Sequence, residues 1–195
     1  MKFAKLFSVV FLATYAMGAL AAGVDPAGVP EKKRSKLGLY FTAQEAYDLV
    51  AKKPEKTLFV DVRSRAEVNF LGTPVAIDAN IPYMEISEWY AWNEKSDSYK
   101  MEVNSEFSNL LAKRLAEKKL TKSDNIVLIC RSGDRSARAA DLLADLGYKN
   151  VYSVLEGFEG DMSKEGLRNV NGWKNANLPW SYKLAKAKMV TTAQN

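Results

Sequence analysis

The stretch Asn125–Gly147, "NIVLICRSGDRSARAADLLADLG", combines two hydrophobic periods with one chemical group. "NIVLIC" (125–130) is a continuous apolar run, as expected of a strand buried on both faces of a parallel sheet. Ala139, Leu142, Leu143 and Leu146 then recur at helical spacing, and Gly147 supplies a stop. Between the two lies the only cysteine of the chain, Cys130, followed by Arg131, Ser132, Gly133, Asp134, Arg135 and Ser136. A strand ending at Cys130 and a helix beginning at Ser136 would place the thiol just beyond a strand's carboxyl end, where open α/β sheets bind ligands.

The same alternation runs outward in both directions. Thr42 opens a capping box with Glu45, and Ala43, Ala46, Tyr47 and Val50 follow at helical spacing before Pro54. "TLFVDV" (57–62) is a second apolar strand, expected beside the cysteine strand, and "VAIDANI" (75–81) reads as a third. Helical spacing returns over 104–119 with Phe107, Leu110, Leu111 and Leu115, and "NVYSV" (150–154) is one more strand. The pattern predicts an α/β fold: a mostly parallel central sheet with helices on both faces. Two long connections interrupt it. Residues 83–104 hold Tyr83, Trp89, Tyr90 and Trp92, read as packing aromatics, with a pocket rim or docking face as the alternative. Residues 159–172 are rich in Gly and Asn.

The N-terminus reads as a secretory signal over 1–21. Lys2 and Lys5 precede an apolar run, and Ala19-Leu20-Ala21 forms an A-x-A cleavage site. A flexible leader (22–37), one folded domain (38–182) and a basic C-terminal tail (183–195) are expected after it. Cleavage near Ala22 would leave no stable membrane anchor and a periplasmic protein in a Gram-negative source. It would also remove Lys2 and Lys5, leaving 26 basic against 23 acidic residues, a net +3. That balance, with its lysines near the two ends, gives no case for nucleic acid.

The chain has no histidine, which excludes a Ser-His-Asp triad, a Cys-His pair and histidine metal sites. A single cysteine excludes thiolate metal clusters and an intramolecular disulfide. No histidine- or thiolate-cluster metal site is expected. Cys130 is then either a small buried hydrophobe or a nucleophile. The free N–H groups of the following helix, the turn at Gly133, and the charges of Arg131 and Arg135 all favour a thiolate and an anionic ligand. Cysteine phosphatases place an arginine six positions after the nucleophile; here that position is Ser136 and the arginine comes one residue early. The shorter loop suits one sulfur atom better than a phosphoryl group. A phosphatase would also need a general acid, for which Asp134 is the only nearby residue.

"CRSGDRSARAADLLADLGYKNVYSVLEG" resembles the active-site region of the rhodanese (sulfurtransferase) family, a C-x-x-G-x-[RST]-S loop followed by a helix and "LGY..V..L.G". "LFVDVRSRAE" resembles the family's L-I-D-V-R-x-x-x-E, "IPYMEI" its N-I-P and "GWKNANLPW" its closing W-x-x-A-G-L-P, so the likeness covers about residues 39–180. It departs at "GTPVAIDA", which lacks the usual histidine, and at about 12 extra residues before Trp173. The resemblance implies a single-domain rhodanese-like protein, exported if residues 1–21 act as a signal, that moves sulfur from a small anionic donor such as thiosulfate to cyanide or a thiol through a Cys130 persulfide, without cofactor. The loop from Ser132 to Ser136 would cradle the persulfide and Arg131 would attract the donor. Arg135 would face the donor or pair with Asp61; Asp61 and Arg63 would support the loop. A non-catalytic persulfide carrier or redox partner of another periplasmic protein is the alternative reading, and a phosphatase or arsenate reductase is disfavoured by the loop length.

Overall fold

The computed structural model describes residues 24–191; the expected signal segment lies outside the described residues. The elements follow in the order β1 (Tyr40–Phe41), α1 (Ala43–Lys52), β2 (Thr57–Asp61), α2 (Arg65–Leu71), β3 (Thr73–Pro74), β4 (Ala79–Asn80), β5 (Met84–Ile86), β6 (Trp92–Asn93), β7 (Ser98–Tyr99), β8 (Met101–Val103), α3 (Phe107–Glu117), β9 (Asn125–Ile129), α4 (Asp134–Asp145), β10 (Val151–Val154) and β11 (Trp180–Ser181). Five strands form the central sheet in the order β1-β10-β9-β2-β4, and every pairing is parallel. The strand that delivers Cys130 is thus the middle one.

Period-two alternation sorts the strand side chains between two cores. Leu58, Val60, Val62, Ile126, Leu128 and Cys130 pack with Phe107, Leu111 and Leu115 of α3 and Ala139, Ala140 and Leu143 of α4. Phe59, Val127 and Ile129 face the other way, onto Ala43, Ala46 and Val50 of α1 and the fully buried Trp173. Both strands are apolar over residues 58–60 and 126–129, because both faces are covered. The predicted capping box opens α1: Thr42 Oγ1 accepts from Glu45 N–H, and the Glu45 carboxylate accepts from Thr42 N–H.

Four segments depart from the sequence reading. "VAIDANI" pairs only at Ala79–Asn80, because Asp78 satisfies β2 in another way: its carboxylate accepts the Phe59 N–H at 2.8 Å. Residues 24–37 do not form a free leader. Val29 and Lys33 are buried, and Lys33 Nζ bonds Asp161 at 2.7 Å and Leu155 O at 3.0 Å. Nor does the stretch from 183 to 191 stand off as a tail: Met189 bridges Asn80, and Lys188 Nζ reaches Val75 O at 2.9 Å. The aromatic connection folds as nested antiparallel ribbons, β5 with β8 and β6 with β7. Only Tyr83 packs inward, against Phe107; Trp89, Tyr90 and Trp92 are exposed, because a two-stranded ribbon has no second layer to bury them.

Candidate active site

The site grows from the end of β9. After Ile129 the chain delivers Cys130 and turns at Gly133, whose φ of +97° is left-handed. A Cβ there would meet Leu155 O at 2.3 Å, so the position requires glycine for both backbone and space. The turn starts α4 at Asp134, two residues before the expected Ser136. No side chain caps this helix. Instead Gly133 N–H donates to Cys130 Sγ at 3.1 Å. Ser136 Oγ lies 3.4 Å from the sulfur, 3.2 Å from Gly133 O and 2.8 Å from Ser153 Oγ. With the Ser153 hydroxyl donating, the one Ser136 proton is shared between the sulfur and Gly133 O. Cys130 is 1% exposed, at the closed end of the loop.

The connection after β10 holds this loop from outside. Phe158 N–H donates to Cys130 O at 2.8 Å, and the N–H groups of Glu159 and Gly160 converge on Arg131 O at 3.1 and 3.2 Å. Gly157 permits the approach: a Cβ on it would lie 2.4 Å from the Arg131 carbonyl carbon. The backbone flanking the sulfur is therefore fixed by hydrogen bonds from a second segment rather than left to its own conformational freedom.

The charged residues pair in ways the sequence did not show. Arg135 does not meet Asp61; it forms a two-point ion pair with Glu67, Nη1 to Oε2 at 2.6 Å and Nη2 to Oε1 at 2.5 Å. Asp61 is taken by Arg63 at 2.6 Å and by the Thr73 hydroxyl at 2.9 Å, all fully inside. The Arg63 guanidinium also lies 4.0 Å above the Phe158 ring, so this pair braces the floor below the second segment. Arg131 Nε bonds Glu159 at 2.6 Å, and Asp134 is held by Arg138 at 2.8 Å. Ser132 stays half-buried beside Gly157.

Glu67 was missed, although its signal was present. Ser64 and Glu67 form a second capping box, with the same spacing as Thr42 and Glu45, and open the unpredicted helix α2. Burial would raise the Glu67 carboxyl, but the hydrogen bonds and charge of Arg135 and the Ser64 N–H and hydroxyl outweigh it and hold it at about 2. Glu159 and Ser153, also missed, carry no local pattern; only the fold brings them to the loop.

A parallel α/β sheet whose middle strand hands a thiol to an uncapped helix N-terminus defines a cysteine-loop α/β protein. A family model described as Rhodanese-like domain matches residues 42–164. The chain belongs to this family, which is of the sulfurtransferase type. It is 30% identical over 138 residues to an uncharacterized protein of Rickettsia rickettsii, covering 71% of this chain and 93% of the relative. It is 32% identical over 114 residues to "Putative thiosulfate sulfurtransferase, mitochondrial" of Schizosaccharomyces pombe, covering 57% of this chain and 68% of the relative. The crystal structure of Rv0390 from Mycobacterium tuberculosis superposes with a TM-score of 0.55 at 26% identity, covering 73% of this chain and 96% of that one.

Proposed function

We propose that the protein is a periplasmic sulfurtransferase that carries sulfane sulfur as a persulfide on Cys130, with thiosulfate as a donor. The observation that carries this reading is the pair of donors aimed at one sulfur, Gly133 N–H at 3.1 Å and the Ser136 hydroxyl at 3.4 Å, at an uncapped helix start. These donors and the helix dipole favour negative charge at that point, first on the thiolate and then on the transferred sulfur. In the first step the thiolate attacks the outer sulfur of thiosulfate. The new S–S bond forms as the donor's own S–S bond breaks, and its electron pair leaves with sulfite. In the second step cyanide attacks the outer persulfide sulfur, giving thiocyanate and restoring the thiolate. No proton, electron acceptor or cofactor enters the balance.

Arg135 argues against phosphoryl chemistry, because both of its terminal nitrogens are engaged by Glu67 and not by an open anion site. The placement in the periplasm rests on the basic, apolar and A-x-A pattern of residues 1–21. Protein recovered from an exporting host is expected to begin near Ala22.

The decisive assay is cyanide-dependent formation of thiocyanate from thiosulfate. Cys130→Ser should abolish it while leaving the thermal melt within a few degrees of wild type. Absence of turnover on every sulfane donor, or full activity in Cys130→Ser, overturns the reading. A stable persulfide in the intact mass after thiosulfate exposure, with negligible turnover, would instead mark a sulfur carrier.

A further inference from the structure

The connection from Gly160 to Gly172 is the segment in which this chain is longer than the family pattern, and it folds as a closed loop. Its neck is pinched so tightly that a Cβ on Gly172 would lie 2.5 Å from Gly160 N, and φ is positive at both glycines. Asn171 Oδ1 accepts the Asp161 N–H at 2.8 Å across the neck. Asn175 Nδ2 then gathers the carbonyls of Glu159, Arg168 and Asn171 at 3.0, 3.1 and 2.7 Å. So much internal bonding fixes where the loop's one arginine stands. Arg168 folds back over the neck, and its Nη1 donates to Gly160 O at 2.6 Å. The N–H of that same Gly160 is bonded to Arg131 O, on the residue directly after the cysteine.

The ion pairs around the cysteine loop single this residue out. Arg131 is bonded to Glu159, Arg135 to Glu67, Arg138 to Asp134 and Lys33 to Asp161. Arg168 has no carboxylate partner among the described residues; a carbonyl accepts one of its five N–H groups. The carboxylates near enough to act on it, Glu159 and Asp161, are already engaged by Arg131 and Lys33. Partial burial, and then repulsion by Arg131, lower its pKa, against the pull of Glu159, Asp161 and Cys130. An incoming anion would offset that repulsion and give the partly buried charge a counter-ion.

We infer that Arg168, supplied by the closed loop 160–172, grips the anionic oxygen end of the sulfur donor at the mouth of the Cys130 site. The two arginines beside the cysteine in sequence are committed to carboxylates and hold the loop in shape. The guanidinium from the inserted loop is the one whose charge no carboxylate neutralises among the described residues. A planar fork of donors fits a sulfonate or a carboxylate at two points, so the chemistry covers thiosulfate and mercaptopyruvate alike. The inference rests on the sulfurtransferase reading and assigns the donor subsite of that same site.

Two measurements test it. The first is steady-state kinetics of wild type, Arg168→Gln and Arg168→Lys with thiosulfate or 3-mercaptopyruvate as donor and dithiothreitol as a neutral acceptor. Loss of a charge-assisted fork should lower kcat/KM for the donor at least about tenfold through KM. The dithiothreitol kcat/KM should stay within about twofold, because the persulfide step involves no donor anion. Arg168→Lys should recover part of the loss. An effect confined to thiosulfate identifies the sulfonate end as the ligand, and one confined to mercaptopyruvate the carboxylate end; either supports the inference. Unchanged donor kinetics in Arg168→Gln overturn it and leave the sulfurtransferase reading standing. The second measurement is calorimetric titration of sulfite into Cys130→Ser with and without Arg168→Gln. If wild type turns over no donor, the sulfurtransferase reading falls and this titration decides: about tenfold weaker sulfite binding sustains the anion subsite, and equal binding removes it.

Discussion

Two neighbouring strands end in nearly the same words and use them oppositely. β2 continues as "VRSRAE" and β9 as "CRSGDRS", with Asp61 paired to Ile129, so that Val62 and Cys130 stand side by side. Each sequence then starts a helix whose first N–H groups need acceptors. At α2 the chain supplies its own: Ser64 Oγ accepts from Glu67 N–H at 3.2 Å, and the Glu67 carboxylate accepts from Ser64 N–H at 3.0 Å. At α4 glycine replaces the cap, and the sulfur of Cys130 takes the first N–H. The first terminus is closed by its own carboxylate, while no side chain caps the second. They are then joined, because the carboxylate that closes α2 also grips Arg135 in the first turn of α4. A helix start becomes a site when its local cap is withheld and its neighbour holds it in place.

Closing the open terminus should have the largest effect. Gly133→Ala forces a left-handed alanine into a Cβ position 2.3 Å from Leu155 O. The sulfur must shift, and sulfur transfer should fall about 100-fold or more, a displacement effect measured as kcat/KM for the donor.

Cutting the link between the two termini comes next. Glu67→Gln leaves Arg135 largely buried without its counter-charge and should lower unfolding free energy by about 2–3 kcal/mol in urea titrations. The same pair sets a pH signature. The Glu67 carboxyl is held at about 2, below its ordinary 4.5, so the folded state favours the ionised form. Its stabilisation is complete above about pH 5 and is lost as pH falls from 4.5 towards 2. The stability difference between wild type and Glu67→Gln should therefore be constant near neutrality and shrink across that acid window. A difference that does not change there would remove the ion pair as its cause.

Smaller effects separate the two ends. Ser136→Ala removes one of the two donors near the sulfur and should reduce donor kcat/KM about tenfold; it also leaves the buried Ser153 hydroxyl without its partner and should cost about 1 kcal/mol of stability. Ser64→Ala removes only the α2 cap and should cost about 1 kcal/mol of stability with near-normal sulfur transfer. If Ser64→Ala impaired chemistry as much as Ser136→Ala, the contrast between a closed and an open terminus would fail.

Much of this molecule could be read before folding. The strands around Phe59 and Val127 and the helices at Ala46, Leu111 and Leu143 announce themselves by period, and all of these residues are buried as expected. The turn at Gly133 and the cysteine before it were legible because a strand, a glycine and a helix sat within a dozen residues. The helix α2 carries the same capping signal as α1, but at seven residues it is too short to show a helical period. The short edge strand β1 and the exposed aromatics at 89, 90 and 92 had no such signature, and β4 showed only as part of the longer run 75–81. Their fate depends on what lies across from them, as does the burial of Lys33 under the connection at 155–161.

By itself, the sequence determined where the central buried strands and the three longer helices run, that one thiol stands at a strand end, and that histidine chemistry is absent. These follow from hydrogen-bond and packing geometry that repeats within a few residues. Only the tertiary structure decided which charges are spent and which are free. Arg135 finds Glu67 across 68 residues and Arg131 finds Glu159 across 28, while Arg168 finds no carboxylate among the described residues. Such pairings depend on which strand ends and connections converge at the middle of the sheet, and no local rule encodes a meeting that the whole fold must bring about.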